Sequence, residues 1–165
     1  MATKVGKYTI RLDSTPSVLS YAAVVAKKEG EGPLASYFDT VSEDSTFAQQ
    51  SWEKAESKMQ KDAVSLALTK ASLSPDQVDC IFAGDLLNQC ISSTFGLREF
   101  GIPYFGIYGA CSTMAEGIAL GSLMIEGCAL KHTAAVTSSH FCTAERQYRF
   151  PLEYGGQRPP PPSGR

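Results

Sequence analysis

Gly106-Ile-Tyr-Gly-Ala-Cys-Ser-Thr-Met-Ala-Glu116 is the stretch that decides the fold. On its N-terminal side, Pro103 to Tyr108 is an apolar run that reads as a buried strand ended by Gly109. On its C-terminal side, Ser112 to Leu130 reads as a helix packed on most sides. Cys111 then stands at the first turn of that helix, where the positive end of the helix dipole favours thiolate over thiol. A strand–cysteine–helix junction is a place for a nucleophile or for an anion-binding thiol. The other reading of Cys111 is a small buried core cysteine, since free cysteines are among the most buried side chains.

The helix that follows carries its own signal. Ala115, Gly117, Ala119, Gly121 and Ser122 are clustered small residues. Glycine in a helix interior is about 1 kcal/mol less favourable than alanine. Two of them imply close approach by another element, which places the helix inside a layered core.

Working outward, strands and helices alternate. Lys7 to Leu12 reads as a strand that pairs with a second apolar stretch, Val18 to Ala26. Lys27 to Pro33 is a polar, glycine-rich loop, and Ala35 to Gln50 is an irregular surface excursion. Ser51 precedes a helix to about Ser72, with Ala55, Met59, Ala63, Leu66 and Ala67 as its apolar face and lysines mostly off it. Ser74-Pro75-Asp76 breaks that helix. Val78 to Ala83 is a short buried strand, Leu86 to Glu99 holds a second helix, and Thr133 to Thr137 is a further strand. Alternation of this kind predicts an α/β fold with a largely parallel sheet. Ligands of such sheets gather beyond the carboxyl ends of the strands. Three predicted strand ends meet there: Gly84-Asp85, Gly109-Ala110-Cys111 and Ser138-Ser139-His140.

The chain has 165 residues, 43% of them hydrophobic and 19% charged, with net charge −2. These values fit one globular domain and not a disordered chain. The scattered Lys and Arg give no electrostatic footprint for nucleic acid. The start, Met-Ala-Thr-Lys-Val-Gly-Lys, lacks the apolar core of a secretory leader. No apolar run reaches membrane-spanning length, so any membrane link is expected to be peripheral. The five cysteines, Cys80, Cys90, Cys111, Cys128 and Cys142, form no CxxC pair and no zinc spacing. They read as reduced thiols of an intracellular protein with no metal site.

The order of these elements, with Val78-Asp-Cys-Ile-Phe-Ala-Gly-Asp85 and Gly109-Ala-Cys-Ser-Thr-Met114, resembles the first half of the thiolase fold. Ketoacyl synthases that start fatty-acid chains share that order, with cysteine at the head of the buried helix. Within this superfamily the chain resembles the stage V sporulation protein AD family. The resemblance is carried by Ala83–Gln89, Phe105–Glu116 and the long block Ala135–Arg158. It covers Ser51 to Pro160 well and the first fifty residues loosely.

The resemblance implies a binding protein more than an enzyme. Its members take part in moving dipicolinic acid, with calcium, into the developing spore, beside other proteins of the same operon at the inner spore membrane. The implied ligand is dipicolinic acid, bound in the pocket that thiolases use for acyl groups. No cofactor is implied, and calcium enters only with the ligand. Asp85, Cys111, Ser138, Ser139 and His140 would line the pocket. Backbone N–H groups at the start of the central helix would hold one carboxylate of the planar ligand. The serine hydroxyls and a protonated His140 would hold the other. Asp85 would repel a bare dianion, so it either meets the calcium or is itself hydrogen-bonded. Its plainer reading is a helix cap before Leu86. His140 reads equally as a satisfied strand-end histidine, and the serines as caps of the next turn.

Two features depart from the superfamily. Condensing enzymes draw histidine and asparagine partners for the cysteine from a second half, and neither His132 nor His140 stands in such a motif. Residues 1–158 read as one half of a thiolase-like domain. The tail Pro159-Pro-Pro-Pro-Ser-Gly-Arg165 reads as a truncated or aberrant ending. A half-fold is expected to expose a sheet edge and the central helix, and so to dimerise or dissolve poorly. The alternative function is acyl transfer with Cys111 as nucleophile.

Overall fold

Ser51 caps the longest helix, α2 (Trp52–Ala71), accepting a 3.3 Å hydrogen bond from the Lys54 N–H. The computed structural model describes residues 2–127 and 129–144. Cys128, the 145–158 part of the sequence resemblance and the tail 159–165 lie outside the described residues.

Before α2 come β1 (Thr3–Val5), β2 (Thr9–Arg11), β3 (Val24–Ala26), the single turn α1 (Lys27–Gly30) and β4 (Thr40–Ser42). After it come β5 (Cys80–Gly84), α3 (Ile91–Leu97), β6 (Tyr104–Gly106), α4 (Thr113–Glu126) and β7 (Thr133–Thr137). The core sheet has the order β6-β5-β7, and both pairings are parallel. This is the α/β architecture with a parallel sheet that the alternation predicts.

All five residues of β5 are buried, as a central strand covered on both faces requires. Val64 of α2, Ile81 and Ala83 of β5, Leu97 of α3 and Val136 of β7 form the core cluster. Each aliphatic chain buried as fully as Ile81 contributes about 1.5–3 kcal/mol. Helix α4 covers the other face of the sheet. A Cβ on Gly117 would stand 3.0 Å from the Ala135 Cβ, and one on Gly121 would stand 2.5 Å from Thr133 Oγ1. The small residues of α4 therefore mark its contact with β5 and β7.

Four expectations are corrected. Lys7–Leu12 does not pair with Val18–Ala26: β2 folds back antiparallel on β1, and β3 pairs in parallel with β4. The stretch read as irregular thus contributes a strand, β4, which pairs with β3 earlier in the sequence. Pro103–Tyr108 is not buried. β6 lies at the sheet edge, and Phe105, 55% exposed, stacks on Phe82 at 5.4 Å between ring centroids. Helix α4 is not packed on most sides. Its Met114, Ile118, Leu123 and Met124 are exposed, because only the glycine face meets the sheet.

Glu126, at the last turn of α4, anchors the N-terminal segment. Its carboxylate accepts from the N–H of Asp13 at 3.3 Å, the N–H of Ser14 at 2.9 Å and the Ser14 hydroxyl. Among the described residues no helix is long and apolar enough to cross a membrane.

Candidate functional site at the strand ends

The three strand ends do converge. Beyond β6, the Ile107 N–H donates to the Ala83 carbonyl at 2.9 Å. Beyond β7, the Ser138 N–H donates to the Gly84 carbonyl at 3.3 Å. Gly84 is required by this convergence, since a Cβ there would lie 2.0 Å from the Ile107 carbonyl oxygen.

Asp85 follows Gly84 and is 1% exposed. One carboxylate oxygen accepts from the Leu87 N–H at 2.8 Å. The other accepts from the Ser93 N–H at 2.8 Å and the Ser93 hydroxyl at 2.6 Å. Asp85 thereby holds the loop 86–90 and the start of α3, but it is not the cap of a helix at Leu86, because α3 begins at Ile91. Within that loop Gln89 and Cys90 adopt left-handed backbone, with φ of 59° and 49°. The Tyr108 hydroxyl donates to the Leu86 carbonyl at 3.1 Å, and the Cys90 thiol bonds the Ile107 carbonyl at 3.4 Å. The loop is thereby pinned to the segment that leads to Cys111.

Cys111 lies on a 3-10 turn, Ala110–Ser112, that runs into α4. It is exposed, which overturns the reading of a buried core cysteine. Glu116 reaches back over the same turn. The Ser112 hydroxyl bonds its carboxylate at 2.9 Å, and that carboxylate lies against Gly109. The helix entrance where a ligand carboxylate was expected thus already holds one negative side chain.

Ser138 and His140 face the other way, into α2. The Ser138 hydroxyl donates to Glu56 at 2.6 Å and accepts from the Gln60 side-chain amide at 2.6 Å. That amide also donates to Ser93 at 2.9 Å. A chain of hydrogen bonds therefore links Asp85 to Ser138 through Ser93 and Gln60. Gln60 Oε1 is buried without a partner among the described residues. Ser138 and Gln60 also border a cavity of about 230 Å³ with Ala23, Val24, Met59 and Thr137. His140 is 6% exposed, stacks on Trp52 at 5.2 Å and lies with Nε2 2.9 Å from the Ser45 carbonyl. Its Nδ1 accepts from the Cys142 N–H at 3.2 Å, which leaves the ring proton on Nε2. A protonated His140 offered to a ligand does not match this arrangement. Ser139 is exposed. His132 lies at the opposite end of the sheet, with Nδ1 2.9 Å from the Gln77 carbonyl.

The sequence reading missed Glu56, Gln60 and Thr143. Glu56 is 1% exposed and is hydrogen-bonded to the hydroxyls of Ser138 and Thr143. Burial is the largest influence on its carboxyl group and pushes it up. Glu56, Gln60 and Val64 recur every four residues and make one buried stripe on α2. That spacing was visible. What it lacked was a partner, because Ser138 lies 82 residues away. Among the described residues no group of three or more His, Cys, Asp or Glu side chains is placed to hold a metal ion.

Comparison with known proteins places these features in a family. A model of stage V sporulation protein AD matches residues 6–163. Stage V sporulation protein AD of Bacillus subtilis (strain 168) is 43% identical over 154 residues, which cover 93% of this chain and 46% of the relative. The chain thus spans about half the length of that relative. Among solved structures, the priming β-ketosynthase from the R1128 polyketide biosynthetic pathway is similar with a TM-score of 0.46 and 18% identity, over 56% of this chain and 30% of that one. The chain belongs to the stage V sporulation protein AD family.

Proposed function

We propose that the chain is a ligand-binding part of a sporulation protein that takes dipicolinic acid, with calcium, into the developing spore. Family membership supports the sporulation setting. The observation that carries ligand binding is the convergence of the three strand ends beside exposed Cys111. His140 gives its two ring nitrogens to Ser45 and Cys142, and His132 sits at the far end of the sheet. Of the candidate residues, Cys111 and Ser139 are therefore the ones left exposed at the strand ends.

In this reading Cys111 and Ser139 are the exposed groups of the site, while Asp85, Ser138 and His140 hold its walls. Glu116 explains the role of calcium. Its carboxylate beside Gly109 repels a bare dianion but not a ligand whose two charges are neutralised by calcium. No resident cofactor is part of the proposal. The protein acts at the periphery of the inner spore membrane with other proteins of its operon.

The alternative is acyl transfer with Cys111 as nucleophile, favoured by its exposure at the head of α4. Calorimetric titration with dipicolinic acid, with and without calcium, separates the two. Binding predicts saturable heat that grows with calcium and weakens in Cys111→Ala. Acyl transfer predicts a thioester after incubation with an acyl-CoA, seen by intact mass and absent in Cys111→Ala. A thioester without dipicolinate heat would overturn the binding reading.

A further inference from the structure

Glu56 has no lysine or arginine within ion-pair distance among the described residues. Its partners are the hydroxyls of Ser138 and Thr143 and the His140 N–H. Thr143 is 2% exposed, and its hydroxyl lies 2.7 Å from the His140 carbonyl while also bonding Glu56 Oε2. A hydroxyl has one hydrogen to give. The two contacts are both full, unshared hydrogen bonds when Glu56 carries a proton on Oε2. The acid then donates to Thr143, and Thr143 donates to the His140 carbonyl. Ser138 donates to Oε1 in the same state. The groups that face Glu56 point the same way. Asp85, from the loop after β5, opposes a second negative charge. His140, from the turn after β7, turns its ring proton to Ser45 instead. Gln60 and Ser93 are neutral.

We propose that Glu56 is a proton-operated latch: as a carboxylic acid it locks the turn 138–144 onto α2, and as a carboxylate it loosens that turn. Ionised, it leaves an uncompensated charge in a buried site, and Thr143 must choose between two acceptors. The sign follows from the raised carboxyl. The latch is fully closed at and below the ordinary carboxylate range, and it opens as pH rises through the value for Glu56. It operates whatever ligand the turn serves.

The test is hydrogen–deuterium exchange of the 138–144 amides in the full chain, corrected for intrinsic exchange, from the ordinary carboxylate range into mild alkali. Protection is expected to fall by up to about tenfold per pH unit and then level off. In Glu56→Gln the side-chain amide replaces the acid as donor to Thr143, so protection is expected to be high and flat. A flat profile in the unsubstituted chain, or the same slope in both proteins, would overturn the latch. The unsubstituted protein also gives a direct reading if the variant does not fold. Above the range where exposed carboxyl groups ionise, a buried protonated carboxyl still shows an infrared C=O band, expected there and lost on further alkalinisation, and its absence there would refute the proposal.

Discussion

Replacing Asp85 by alanine separates a scaffold carboxylate from a ligand carboxylate. Its three donors are the N–H groups of Leu87 and Ser93 and the Ser93 hydroxyl. Leu87 is 5% exposed and Ser93 0%, so neither N–H gains water when the carboxylate is removed. Leaving a buried donor without its acceptor costs about 1–3 kcal/mol. The Ser93 hydroxyl keeps the Gln60 amide as a partner at 2.9 Å and adds less. Relief of repulsion on Glu56 returns a little. The sum is a loss of about 2–6 kcal/mol, a large share of a typical domain stability of about 5–15 kcal/mol. Denaturant unfolding followed by the fluorescence of Trp52, the only tryptophan, reads this directly. Asp85→Asn, which keeps one acceptor oxygen, is expected to lose less. A ligand carboxylate held against solvent or cation would behave otherwise, since its removal leaves stability unchanged or raised. A loss below about 1 kcal/mol in Asp85→Ala would refute the reasoning.

Three further outcomes follow from the same geometry. Gly84→Ala places a Cβ 2.0 Å from the Ile107 carbonyl and 2.9 Å from Thr113 Cγ2. Because one obstacle is backbone, the expected loss exceeds about 3 kcal/mol, seen as a collapsed denaturation midpoint. Among the described cysteines, alkylation followed by peptide mapping is expected to label exposed Cys111 first and half-buried Cys142 next. Cys80 and Cys90, whose thiols burial pushes up, are expected to react only on unfolding. The Ser14 hydroxyl and N–H hold the Glu126 carboxyl down to about 2. Its contribution is full above the ordinary carboxylate range and lost as pH falls towards 2. Exchange of the Asp13 and Ser14 amides should therefore quicken in strong acid, and in Glu126→Gln already at neutral pH.

What could be read from the sequence was what local chemistry writes. Ser51 and the breaker Ser74-Pro75-Asp76 bracket α2, and β7 runs from Thr133 to Thr137 as its apolar run predicts. The glycines of α4 marked a close approach, and the approach is there. What failed depends on distant partners. β4 is three residues whose strand character comes only from pairing with β3. The outer face of α4 has the apolar residues of a buried helix, and nothing in its own spacing says that it is exposed in this chain. The site was legible as a place, since the three strand ends meet, but not as a set of roles. Asp85, Ser138 and His140 are the residue types that bind ligands, and they are also the types that satisfy buried polar groups. Only the positions of Ser93, Glu56 and Ser45 show that they do the second.

The central claim is that Cys111 faces the bound ligand while its neighbours hold the walls. The rate at which Cys111 is alkylated, followed by mass against rising dipicolinic acid with calcium present, tests this most directly, with Cys142 as the internal control. The expected result is saturable protection of Cys111 and an unchanged rate at Cys142. An unchanged rate at Cys111, in folded protein and at concentrations that saturate the calorimetric signal, would contradict it.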